Sequence, residues 1–393
     1  MKTSSIAFTA GLASTAAAYH CVNLTVPVDV SARNAVFNVS APQNNIEVTE
    51  FILNDAQQGA NYTAAVLAGY ATVKGHYNLA ATYCVPGQQQ GRPGGPGRHG
   101  SWNKGQQGGQ QQAPKNLQIL THGIGFDRSY WDLPYNAPNY SYSAVATDKY
   151  GFATFSYDRL GIGASSHGEP VNEIQAQLEI DALRALTVLL RNGAVPGVPK
   201  FEKYLHVGHS FGSVQTYALT AAYPELSDGI ALTGFSANGS FLVDFLYGGN
   251  FVDVKTNPTL GPKYVHGYFA AGDASGVQTN FFAPKQFDAG ILAFAAATGQ
   301  PVTVGELLSI GGAAAVPNAF AKPVLVITGE RDVPFCGGSC YNGAPAGSSI
   351  IAQTQKAFTA TTIKAVVVPH AGHGLNLEYS HQFTYDTINT FFA

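Results

Sequence analysis

At residues 204–223 a short apolar run, Tyr204–Val207, passes through Gly208-His209-Ser210-Phe211-Gly212 straight into a helical segment, Ser213–Tyr223, that stops before Pro224. Two glycines flanking a serine let a strand and a helix pack closely across one sharp turn. A strand feeding directly into a helix points to a parallel sheet, because parallel neighbours need a crossover.

The surrounding chain repeats this alternation. Leu117–Thr121, Ala153–Tyr157 and Gly229–Thr233 are continuous apolar runs of strand length. Residues 172–192 carry Ile174, Leu178, Ala182 and Ala185 at helical spacing, with Asn172 placed to cap the start and Gly193 the end. The expectation is an α/β fold with a mostly parallel central sheet flanked by helices.

The alternation stops from Ala237 to Ala321, a stretch rich in Phe, Tyr, Gly and Ala with helical pieces such as Phe287–Thr298. It resumes at Pro323–Thr328, Ile363–Val368 and a final helix from about Glu378 to Phe392. A cap over residues 237–321, inserted between core halves at 116–236 and 322–393, accounts for the interruption. Residues 19–86 read as β-rich, with Ala64–Leu67 and Ala71–Tyr77 as short strands. Residues 87–115 are dominated by Gly, Gln, Pro and Arg and have no apolar periodicity, so they read as a disordered insertion.

Charge narrows the partners. Charged residues are 11% of the 393, and 21 Lys+Arg against 24 Asp+Glu leave a formal charge of −3. That balance rules out disorder through charge excess for the chain as a whole, and draws it to neither nucleic acid nor an anionic membrane. Lys2, the apolar run Ile6–Ala18 and the small residues Ala16-Ala17-Ala18 fit a secretory signal peptide at residues 1–18. The run is too short for a membrane span, which takes ~20 residues, and no later stretch qualifies. Asn23, Asn38, Asn61, Asn139 and Asn238 each open an Asn-x-Ser/Thr acceptor for N-glycosylation. Four cysteines suit an oxidising compartment. Of three possible pairings, Cys21–Cys84 with Cys336–Cys340 is favoured, because the latter two share a Gly-rich loop able to close on itself. No second pair has zinc-ligand spacing, so no metal or other cofactor is expected.

A serine hydroxyl is a weak nucleophile until a base takes its proton. The candidate base for Ser210 is His373, flanked by Gly372 and Gly374 after the run Ile363–Val368, with His370 as its rival. The carboxylate that would hold the imidazole is Asp332, in Gly329-Glu330-Arg331-Asp332, with Glu330 as the alternative. Backbone donors for the developing oxyanion are expected from the N–H of Phe211 and from the loop His122-Gly123-Ile124-Gly125, chiefly Ile124. A free imidazole is required, so activity should fall as it takes up a proton, near pH ~6.5 if unperturbed.

The residues His122-Gly123, Tyr157-Asp158-Arg159-Leu160-Gly161-Ile162-Gly163-Ala164-Ser165, Gly208-His209-Ser210-Phe211-Gly212, Gly329-Glu330-Arg331-Asp332 and Gly372-His373 resemble the α/β-hydrolase superfamily, and within it secreted fungal esterase- and lipase-like members. The resemblance covers roughly residues 116–393, with residues 62–86 supplying opening strands. It implies a sheet of about eight strands, a lid, Ser210 as nucleophile, Asp332 as acid, His373 as base, and Phe211 with Ile124 as oxyanion donors. A carboxylate nucleophile, as in dehalogenases and epoxide hydrolases of that fold, would stand at position 210, where serine argues against both. Asp158 and Arg159 read as a structural loop brace. The expected activity is hydrolysis of a small carboxylic ester or lactone with an apolar part, favoured by the aromatic residues of the cap. A serine peptidase or acyltransferase of the same fold is the first alternative, and a glycosylated binding protein without activity the second. Oligomeric state is left open.

Overall fold

The computed structural model describes residues 19–87 and 113–393. The expected signal peptide and nearly all of the Gly/Gln-rich insertion lie outside the described residues. The chain opens with a long antiparallel hairpin, β1 (His20–Phe37) against β2 (Leu67–Val85), in register from His20 opposite Val85. Between its arms lie α1 (Asn45–Asp55) and α2 (Tyr62–Val66). Ala64–Val66 is thus helical rather than extended, because the Asn61 side chain accepts from Ala64 N and starts a helical turn. The opening strands therefore begin much earlier than residue 62.

The first half of the core follows as β3 (Asn116–Thr121), the single turn α3 (Tyr142–Ala144), β4 (Ala153–Tyr157), α4 (Ala176–Asn192), β5 (Lys203–His209), α5 (Phe211–Ala222) and β6 (Gly229–Thr233). Next come α6 (Leu242–Gly248), β7 (Phe251–Asp253), β8 (Tyr268–Ala271), α7 (Ala274–Phe281), α8 (Ala289–Thr298), β9 (Val302–Thr303) and α9 (Val304–Ala313). The chain ends with β10 (Val324–Gly329), α10 (Val333–Cys336), β11 (Lys364–Val368) and α11 (His381–Phe392). Eight strands form one sheet in the order β1-β2-β4-β3-β5-β6-β10-β11, while β7, β8 and β9 make a small second sheet inside the inserted segment. From β4 to β11 every pairing in the large sheet is parallel, and β1 and β2 run antiparallel at its edge.

Successive residues of one strand feed different cores, as the two-residue period of a strand requires. Leu117 and Ile119 of β3 pack with Leu178, Leu183 and Leu186 of α4, whereas Leu120 joins the cluster containing Val207, Phe211 and Leu232. Helix α4 ends as expected at Gly193, whose φ of 67° closes the last turn. Its start differs from expectation. Asn172 does not cap it, because its side-chain oxygen accepts from Phe37 N of the hairpin; the helix begins at Ala176. The final helix likewise starts at His381 rather than near Glu378, which is drawn inward. Both disulfides form, Cys21–Cys84 across β1 and β2 and Cys336–Cys340 after β10.

Candidate active site

Four loops meet at the C-terminal ends of the parallel strands. Ser210 stands between β5 and α5 with φ 55° and ψ −120°, a backbone conformation that L-residues rarely adopt and that neighbouring structure has to impose. The glycines of its pentapeptide are required by space. A Cβ on Gly208 would lie 2.4 Å from Gly212 O, and one on Gly212 would lie 2.2 Å from Thr121 O of β3. Close approach of helix to strand leaves the serine projecting at the strand ends, 7% exposed.

Phe211 is the first residue of α5, where a helix leaves its N–H without an intrahelical acceptor. Among the described residues neither Phe211 N nor Ile124 N donates to another backbone oxygen. Gly123 lies against Ser210: a Cβ there would stand 2.7 Å from Ser210 Cβ. His122 holds this loop from both ring nitrogens. Its Nδ1 is 2.8 Å from Gly123 O, and its Nε2 accepts from Arg159 N at 2.9 Å. The two contacts require the neutral ring protonated on Nδ1. Burial, with the Arg159 cation adding to it, keeps the imidazole well below its usual range.

His373 is 1% exposed, with Nδ1 2.7 Å from Asp332 Oδ2. Asp332, itself fully buried, is fixed by Phe335 N at 2.8 Å on Oδ1 and by the Thr328 hydroxyl on Oδ2. The imidazole stacks with the rings of Phe281 and Phe335, at 5.8 and 5.6 Å. Its Nε2 is buried and unpartnered among the described residues. The ring stands 4.8 Å from that of His209, the residue before the serine. A base with one nitrogen anchored on a carboxylate and the other free beside a nucleophile can take and return a proton. His370 and Glu330, the rivals, face each other at 3.8 Å with the His370 side chain 78% exposed, whereas the His373 and Asp332 side chains are fully buried.

Several residues around the site were not singled out in the sequence. Glu378 is buried and accepts from Gly372 N at 2.6 Å and Ala283 N at 2.5 Å, tying the His373 loop to the segment after α7. Burial pushes its carboxyl up to about 8. Tyr130 stacks on His209 at 4.4 Å. Two more such residues, Glu179 of α4 and Glu306 of α9, are the partners of the expected brace residue Arg159, each at 2.5 Å. Its guanidinium also lies 4.7 Å from the centre of the Phe211 ring. The one local hint of Glu306 was the Thr303-x-x-Glu306 pattern, which does form a capping box. Asp158 receives Arg128 and Ala164 N–H groups and pairs with the Arg128 side chain, as a brace would.

In the loop after β3, Ile124 and Phe126 line a cavity of about 30 Å³ with Phe245, Phe251, Val277 and Phe281 from the segment between β6 and β10. Other aromatics of the inserted segment are buried elsewhere: Phe269 packs on Phe51 of α1, and Tyr264 stacks on His167.

A family described as "Alpha/beta hydrolase family" matches residues 118–386. No curated protein matches the sequence. Among solved structures, an esterase from Thermogutta terrifontis superposes with a TM-score of 0.50 at 15% identity, covering 81% of this chain and 94% of its own. A putative non-heme bromoperoxidase, BpoC, from Mycobacterium tuberculosis H37Rv gives 0.49 at 17% identity, covering 72% and 93%. A monoacylglycerol lipase from Paleococcus ferrophilus gives 0.46 at 13% identity, covering 71% and 95%.

Proposed function

The chain belongs to the alpha/beta hydrolase family, and from its site we propose that it is a secreted serine hydrolase of carboxylic esters or lactones with an apolar part, working through an acyl-enzyme on Ser210. The observation that carries the reading is the buried Asp332–His373 pair, with the unpartnered His373 Nε2 beside the strained turn that bears Ser210. In the first half-reaction His373 Nε2 takes the Ser210 proton as Oγ attacks the carbonyl carbon. The N–H groups of Phe211 and Ile124 receive the developing oxyanion. Protonated His373 then hands its proton to the leaving alkoxide, which departs as alcohol. In the second half-reaction His373 draws a proton from water, hydroxide attacks the acyl carbon, and the acid leaves as Ser210 regains its proton. Asp332 holds Nδ1–H and steadies the imidazolium.

The apolar lining of the cavity favours an apolar acyl or alcohol group. Secretion is supported by the signal-like start, by two disulfides, and by five glycosylation acceptors whose asparagines are all exposed. The same features agree with the resemblance to secreted fungal members. No helix among the described residues is long and apolar enough to cross a membrane.

A fluorophosphonate probe tests the reading: wild type is expected to label and Ser210→Ala not to. Equal labelling of the two, or of neither, overturns it. A panel of p-nitrophenyl esters of graded acyl length, run beside amide substrates, then separates ester hydrolysis from peptidase activity.

A further inference from the structure

The Cys336–Cys340 bridge closes its loop immediately beyond the carboxylate that holds His373. Asp332 caps the four-residue helix α10, which ends at Cys336. A helix of one turn has little stability of its own. Beyond it Gly337 and Gly338 turn back with φ 60° and 80°, and glycines in sequence give a turn of high entropy cost. What fixes this segment is the covalent link to Cys340, both sulfur-bearing residues being buried.

Hydrogen bonds show what the link serves. Phe335 N donates to Asp332 Oδ1 and Gly338 N to Asp332 O, each at 2.8 Å, so the loop grips the acid by side chain and backbone. Cys340 N donates to Glu330 O at 2.9 Å and Cys340 O accepts from Ile350 N at 2.7 Å, anchoring the far end of the bridge to the core. Phe335, adjacent to Cys336, stacks its ring on His373 at 5.6 Å with 24° between planes, as Phe281 does at 5.8 Å with 28°. The Phe335 carbonyl accepts from the Ser236 hydroxyl at 2.8 Å, at the point where the chain enters the cap.

We propose that the disulfide-closed loop is a positioning device for the acid–base pair: the Cys336–Cys340 bridge holds Phe335, a positioning residue, against His373 while Phe335 N and Gly338 N orient Asp332. The inference rests on the Ser210–His373–Asp332 reading. The loop touches no reacting atom. It acts by keeping the imidazole in one plane and the carboxylate in one rotamer, so that Nδ1–H stays directed at Oδ2. The other bridge has no such duty. Cys84 lies opposite Thr154, three residues along β4 from Tyr157 and away from the strand ends that carry the site.

The test compares Cys336→Ser/Cys340→Ser with Cys21→Ser/Cys84→Ser on the full chain, well below their unfolding temperatures. The first double variant is expected to lose about 10- to 100-fold in kcat while KM changes less than about threefold, the pattern of misplaced catalytic groups rather than lost substrate contacts. The second is expected to keep the wild-type kcat. A readout independent of turnover is the far-downfield proton resonance of His373 Nδ1–H, expected to weaken or vanish in the first variant and persist in the second. Should the first variant fail to fold, Phe335→Leu, which keeps the bridge, decides the matter with an expected loss of about tenfold in kcat. Unchanged kcat and unchanged resonance in the folded variant, or an unaffected Phe335→Leu, overturn the inference. A wild type that shows the resonance but labels with no fluorophosphonate instead refutes the proposed function, and the resonance comparison still judges the loop.

Discussion

Replacing Glu378 by Gln isolates the effect of one buried carboxyl on stability. Two short hydrogen bonds from Gly372 N and Ala283 N favour the ionised form. Burial outweighs them, the negative Asp332 adds to it, and the carboxyl is pushed up from 4.5 to about 8. The folded protein therefore keeps a proton that the unfolded chain releases between roughly pH 4.5 and 8. Stability from this group is complete below the unfolded value and is lost as pH rises through the folded one, at about 1.4 kcal/mol per pH unit within the window. Wild type should thus lose about 3 kcal/mol relative to Glu378→Gln between pH 5 and 7.5. Glutamine itself costs about 1–3 kcal/mol at every pH, because its NH₂ faces one of two N–H donors that both need an acceptor. The variant is then the less stable protein at pH 5, and the gap closes or reverses by pH 7.5. Urea unfolding at four pH values, analysed by midpoint at constant slope, measures this. A gap constant to within about 0.5 kcal/mol across the range would refute the claim that burial wins over the hydrogen bonds.

His373→Ala should lower kcat/KM for a p-nitrophenyl ester by about 10⁴-fold or more, whereas His370→Ala, at an exposed side chain facing Glu330, should leave it within about twofold; comparable losses would show that the base has been misassigned. Gly212→Ala puts a methyl group on backbone, 2.2 Å from Thr121 O, so the helix has to move off β3. Loss of fluorophosphonate labelling is expected even if circular dichroism shows a folded chain, and full labelling would contradict the close-packing account. Arg159→Met leaves Glu179 and Glu306 facing each other in a fully buried site, at a cost of about 3–5 kcal/mol in urea unfolding. Adding Glu306→Gln to that variant should recover part of the loss, and an unchanged midpoint in Arg159→Met would show that the guanidinium carries no structural duty.

The chain's local grammar was legible because it concerns backbone geometry settled within a few residues. A strand running through two glycines into a helix can make only one kind of turn, so the place and setting of Ser210 were readable from residues 204 to 223, as was the alternation that makes six of the eight strands parallel. The four-residue separation of Cys336 and Cys340 was local in the same sense. Packing decided what adjacency in sequence cannot express. Asn172 was equipped to cap a helix but bonds to Phe37 N, 135 residues away, because the hairpin brings an unsatisfied donor to it. His370 and His373 differ little in composition around them; burial against Phe281 and Phe335 separates their surroundings. Arg159 finds Glu306 across 147 residues, and Glu378 reaches Ala283 across 95, because a buried charge or carboxyl is tolerated only where folding delivers partners to it. Short-range sterics thus wrote the turn that raises the serine, while desolvation and hydrogen-bond satisfaction, which exist only in the packed molecule, selected the groups gathered round it.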